Sequence, residues 1–118
     1  MKAFFNRLQF AINGLVQFFK KETNGQIQLV VALLVVVAGF ALKIDRTEWM
    51  IVLGCVGLVL ALEMVNSAIE KLCDHVHPER HPQIGLIKDI AAGAVLWAAI
   101  LSAVIGLLIF LPRLVSLL

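Results

Sequence analysis

The chain contains no tyrosine, only two cysteines, three prolines and 15% charged residues among its 118 positions. Each scarcity narrows what it can be. Cys55 and Cys73 stand 18 residues apart with no CxxC, which reads as two reduced packing residues and not as a disulfide framework or a zinc site. No GxxxxGK[ST] and no GxGxxG is present, so the usual glycine-rich phosphate cradles are missing. The three histidines all fall between 75 and 81, which leaves no material for a dispersed Ser-His-Asp arrangement. The net charge of +2 is too small, and the basic residues too scattered, for a nucleic-acid surface. Lys2 and Arg7 open the chain without a long apolar core and a small-residue cleavage site behind them, so no signal peptide is expected.

What remains is apolar: 61% of the residues are hydrophobic. The pattern predicts an all-α membrane protein of one domain, 1–118. Phe4, Phe5, Leu8, Ile12, Leu15, Phe18 and Phe19 recur at roughly helical spacing between Asn6, Arg7, Gln9, Asn13 and Gln17. Residues 1–21 therefore predict an amphipathic helix lying in the membrane interface. Three transmembrane helices follow, at 27–42, 49–69 and 90–111. The first covers only about 24 Å, so it must recruit flanking residues or thin the bilayer. The segment 43–48 reads as a tight turn and 71–89 as a polar loop broken by Pro78 and Pro82; Pro112 is expected to stop the last span. Lys and Arg number seven in residues 1–21 and 71–89 against three elsewhere, which places those segments in the cytoplasm.

The most informative residues sit inside the second span and just beyond it. Glu63, Asn66, Glu70 and Asp74 stand at i, i+3, i+7 and i+11. At 100° per residue they fall within about 80° of one another on a helix. Glu63 lies six residues inside the end of that span, about 9 Å deep. Carboxylates at such a depth cost a few kcal/mol each unless paired or bound to a cation, and so mark function by default. The plain alternative is a protonated Glu63 hydrogen-bonded to a neighbouring helix, which leaves the other three unexplained. Lys88 and Asp89 have two readings of equal weight. Either they form an ordinary helix entrance, or Lys88 neutralises phosphate oxygens while Asp89 holds the site in place. His75, His77 and His81 with Glu79 could make a metal cluster or be solvated, and the prolines disrupt the spacing a preformed site needs. Gly54 and Gly57 are expected to let helices approach closely.

Two other classes compete with an enzyme. A small oligomeric ion-coupled transporter could use Glu63, but polarity through the whole membrane depth and paired inverted segments are missing. A non-enzymatic membrane assembly protein would not require Glu63, Glu70 and Lys88 together.

The run Glu63-Met64-Val65-Asn66-Ser67-Ala68-Ile69-Glu70, then Asp74, then Lys88-Asp89-Ile90-Ala91-Ala92-Gly93-Ala94-Val95-Leu96, resembles the prokaryotic diacylglycerol kinase family, which includes the undecaprenol kinases. The resemblance covers nearly the whole chain. It implies a homotrimeric bundle in the bacterial inner or plasma membrane, with active sites between subunits near the cytoplasmic face. It implies ATP- and Mg²⁺-dependent phosphorylation of a membrane lipid alcohol, either diacylglycerol or undecaprenol. By position, Glu63 resembles the catalytic base, Asn66 its neighbour in the site, and Glu22 and Glu70 the carboxylates holding Mg²⁺. Asp74, Lys88 and Asp89 match positions that support nucleotide binding. Gly25, Gln26 and Gln28 depart from the family, whose members often carry an aromatic-Arg pair and then Glu or His there. The Pro78–Pro82 segment and the Ala-Ala-Gly-Ala-Val-Leu run look more like the undecaprenol kinases of Gram-positive bacteria.

Overall fold

The computed structural model describes residues 1–79 and 81–118 as four α-helices, with no strand among them. Helix α1 runs Lys2–Lys21, α2 Thr23–Ala41, α3 Arg46–Val76 and α4 Pro82–Leu117. The last three are long and apolar enough to cross a membrane. Arg80, which contributes to the charge bias, lies outside the described residues.

The helices overshoot the apolar runs that define them. A hydropathy pattern stops where polar residues begin, whereas a helix stops where its backbone is interrupted. Lys71–Val76 contains neither Gly nor Pro, so α3 continues through it; Pro78 disfavours helical geometry in the residue before it, and α3 ends at Val76. Helix α4 starts at Pro82, its fixed φ suited to the first helical position, and the His81 ring accepts from the Gln83 N–H as the cap. The expected polar loop 71–89 is thus mostly helix, and Lys88 and Asp89 stand nearly two turns inside α4. Pro112 does not stop α4, which runs on to Leu117. Proline removes one hydrogen bond from the ladder. The turn beyond it is held instead by Arg113, which donates to the Lys43 carbonyl at 3.2 Å and pairs with Glu48 and Asp45. Helix α2 gains its missing length at the polar end, starting at Thr23 and so spanning about 28 Å.

The α2–α3 turn is closed by specific chemistry. The Lys43 and Ile44 N–H groups return to the carbonyls of Phe40 and Gly39, with Lys43 in the left-handed region at φ 53°. Asp45 and Glu48 then cap each other reciprocally: the Asp45 carboxylate accepts from the Glu48 N–H at 2.9 Å and that of Glu48 from the Asp45 N–H at 3.0 Å. Gly39 admits the Trp49 ring, since a Cβ there would lie 2.7 Å from it. Ile44, Val52 and Ile109 form a small core at this end of the bundle. Nothing lies within 4 Å of a Cβ built on Gly54 or Gly57. Their faces are open within one chain and bring no two of its own helices together.

Helices α3 and α4 pack against each other most extensively, while α2 touches α3 more lightly. A groove of about 250 Å³ opens between the three, lined by Gln28, Val52, Cys55, Val59, Ser102 and Phe110 among others. Apart from Phe18, α1 buries no residue, and Phe4, Phe5, Leu8, Phe10 and Ile12 are exposed. Among the described residues, two of the three buried polar side chains are Glu63 and Asn66. That is the reverse of a water-soluble domain, and it locates the site.

Candidate active site

Glu63, Asn66, Glu70 and Asp74 occupy one face of the continuous α3, as the spacing predicts. Glu63 is 4% exposed and Asn66 5%. One carboxylate oxygen of Glu63 and the amide oxygen of Asn66 are buried without a hydrogen-bond partner. A buried polar group left unmade costs about 1–3 kcal/mol. Two such acceptors one helical turn apart are sustained where a ligand or a neighbouring chain supplies what they lack. The Asn66 amide nitrogen donates to a Glu70 carboxylate oxygen at 3.3 Å. Asn66 thereby ties the deep carboxylate region to the shallower one.

The stripe ends in charged contacts from two other elements. Lys88 reaches from α4 and donates to Asp74 at 2.8 Å, joining the polar ends of the two helices. The Asp74 carboxylate beside it raises the Lys88 ammonium above its ordinary pKa, so this cation stays charged throughout the physiological range. Asp89 is exposed, and with Asp74, His77, Glu79, His81 and Lys88 it lines a polar pocket of about 350 Å³ between the ends of α3 and α4. The rings of His77 and His81 meet edge-on, 5.1 Å apart.

Glu22 arrives by a different route. It is the single extended residue between α1 and α2, at φ −92° and ψ 118°, and caps both helices. Its carboxylate pairs with Lys71 of α3. The junction is fixed on either side. Gln26 donates from its side-chain amide to the Lys20 carbonyl at 2.8 Å. Gly25 lies under the Phe18 ring, whose Cε2 would stand 2.7 Å from an added Cβ. Two of the three departures from the family pattern are therefore structural here: Gly25 makes room for Phe18, and Gln26 staples the bend. Gln28, the third, faces the apolar groove.

Of the residues expected in the site, Glu63, Asn66, Glu70, Asp74 and Lys88 are brought together in contact or along one face, and Glu22 is carried to the same end of α3. Asp89 joins only through the outer pocket. Among the described residues, no three His, Cys, Asp or Glu side chains converge as a metal site in one chain. Lys71 and Phe18 were missed as site elements. Lys71 follows Glu70 directly, and charge counting treats it as a topology signal; Phe18 reads as one more apolar residue of a surface helix.

The fold and the site together define an all-helical membrane protein with a half-buried acidic centre at one end of the bundle. A family model described as prokaryotic diacylglycerol kinase matches residues 9–110. The undecaprenol kinase of Bacillus subtilis is 38% identical over 114 residues, covering 97% of this chain and 93% of its own length. The diacylglycerol kinase of Haemophilus influenzae is 31% identical over 107 residues, covering 89% and 91%. That of Escherichia coli K12 is 39% identical over 75 residues, covering 64% and 62%. The chain belongs to the prokaryotic diacylglycerol kinase family. It is a membrane-embedded lipid kinase, and the transporter and non-enzymatic assembly classes fall away.

Because Phe18 is buried, its ring has little room to retreat from a methyl group at position 25. Gly25→Ala is expected to destabilise the protein by about 1–3 kcal/mol, the usual effect of overpacking. Thermal unfolding in detergent measures this, and adding Phe18→Leu should recover much of the loss.

Proposed function

We propose that the enzyme transfers the γ-phosphoryl group of ATP to the primary hydroxyl of undecaprenol, at a site on the cytoplasmic face of the bacterial plasma membrane. The observation carrying this reading is the pair of buried, unpartnered oxygens on Glu63 and Asn66. Both are acceptors, suited to a lipid hydroxyl entering from the bilayer. In this reading Glu63 accepts the hydroxyl proton as the oxygen attacks phosphorus, and Asn66 orients the carboxylate region through its contact with Glu70. Phosphoryl transfer depends on positioning and charge neutralisation, with little covalent work for the protein.

Glu70 and Glu22 are hard oxygen donors of the kind that suits Mg²⁺, which usually takes one or two carboxylates together with phosphate oxygens. When bound with ATP, the ion would neutralise charge on the phosphates. Lys88 would add a fixed positive charge against phosphate oxygens, held by Asp74, while Asp89 and the outer pocket offer polar groups to the rest of the nucleotide. Cytoplasmic placement rests on the Lys and Arg bias, which puts the Lys71–Lys88 end where ATP is found. The apolar face of α1 is suited to lie in the interface at the same level.

A homotrimer completes the reading. One chain leaves the α3 glycine face open, and a second copy can cover it. The mass of the purified complex in detergent checks the stoichiometry. The preference for undecaprenol over diacylglycerol follows the 38% identity, over almost the full chain, to a relative named for that lipid. Purified enzyme given radiolabelled ATP, Mg²⁺ and each lipid in turn is expected to label undecaprenol faster. Faster labelling of diacylglycerol would overturn that choice, and labelling of neither would overturn the reaction.

A further inference from the structure

Lys71 stands one residue beyond Glu70, and so about 100° around α3 from the acidic stripe. It therefore points sideways, toward the α1–α2 junction, where its ammonium pairs with Glu22. The two partners are unequally held. The Lys71 side chain is 71% exposed, whereas that of Glu22 is 25% exposed and belongs to a bend pinned by Phe18, Gly25 and Gln26. The carboxylate is the fixed member and the ammonium, on its four-carbon stem, the movable one. Lys88, another cation at this end, is only 35% exposed and bridges α3 to α4 through Asp74. Lys88 is a strut between helices, and Lys71 is free to swing.

We propose that Lys71 is a positioning residue that serves as an exchangeable counter-ion for Glu22. In the metal-free enzyme it occupies the carboxylate and holds the α1–α2 bend against α3; on loading, it yields that carboxylate to magnesium. This rests on the assignment of Glu22 as a metal ligand. A lysine ammonium and a divalent cation compete for the same oxygens, so Lys71 raises the magnesium concentration at which the site fills. It also spares the empty enzyme an uncompensated carboxylate at the membrane surface. An exposed ion pair contributes little to folding, so removing the lysine should leave the protein folded and its metal affinity readable.

The test uses the full chain in detergent micelles, with Mn²⁺ binding followed by electron paramagnetic resonance without nucleotide, beside the magnesium dependence of the rate. Lys71→Met is expected to bind Mn²⁺ up to about fivefold more tightly, the upper end of what an exposed ion pair contributes, and to need correspondingly less Mg²⁺. Lys71→Arg, which keeps the charge, should stay within about twofold of wild type by the same reasoning. Unchanged or weaker Mn²⁺ binding by Lys71→Met, while Glu22→Gln weakens it, would overturn the counter-ion role and leave Glu22 as a ligand. If both variants bind Mn²⁺ as wild type does, the ligand assignment fails as well. A raised KM for ATP with unchanged Mn²⁺ affinity would make Lys71 a phosphate contact and also overturn the proposal.

Discussion

Replacing Glu63 by glutamine is expected to lower kcat on the order of 100-fold or more, about 2.7 kcal/mol of transition-state stabilisation, with little change in KM for either substrate. Glutamine matches the size of the side chain and keeps one acceptor oxygen, so the packing around a residue only 4% exposed is preserved. What disappears is the group proposed to take the hydroxyl proton. Removing a buried negative charge should also leave thermal stability unchanged or slightly improved. A variant that unfolds would return Glu63 to a packing role, and one that keeps near wild-type turnover would remove it as the base. Steady-state kinetics and thermal unfolding on the same preparation separate these results.

Glu70→Gln should behave differently, because this residue is proposed as a metal ligand. The glutamine oxygen can still accept from the Asn66 amide, as the carboxylate does at 3.3 Å, so the α3 face keeps its internal contact. The lost charge is expected to raise the magnesium needed for half-maximal rate about tenfold or more, together with a fall in kcat at moderate magnesium. Raising the metal concentration should recover part of the rate, whereas no amount should rescue Glu63→Gln. The predicted shift is opposite in sign to that of Lys71→Met, so magnesium titrations of the three variants form an internally controlled set. Identical titrations for Glu63→Gln and Glu70→Gln would show that the two residues do not divide the work as assigned.

Much of this molecule is determined locally. The apolar runs dictate membrane helices, because a backbone in hydrocarbon must satisfy its own hydrogen bonds. The recurrence of Glu63, Asn66, Glu70 and Asp74 needs only the 3.6-residue period to become a single face. Helix ends are less legible, since they depend on backbone chemistry more than on hydropathy. Lys71–Val76 and Pro82–Asp89 are polar yet helical, and Pro112 is absorbed because Arg113 reaches back to Lys43, Asp45 and Glu48.

The tertiary structure decided the contacts that join distant parts of the chain. Nothing local in Phe18-Phe19-Lys20-Lys21-Glu22 states that a phenylalanine ring will lie over Gly25, or that Glu22 will meet Lys71, because those outcomes depend on the angle at which α1 leaves α2. Nor does the sequence state that Lys88 will meet Asp74, a 2.8 Å contact that bridges α3 and α4. A single helix can place its own side chains on one face by periodicity alone. The partner that each of them meets across a gap is set by packing, where side-chain volume and the geometry of the bend determine what lies within reach.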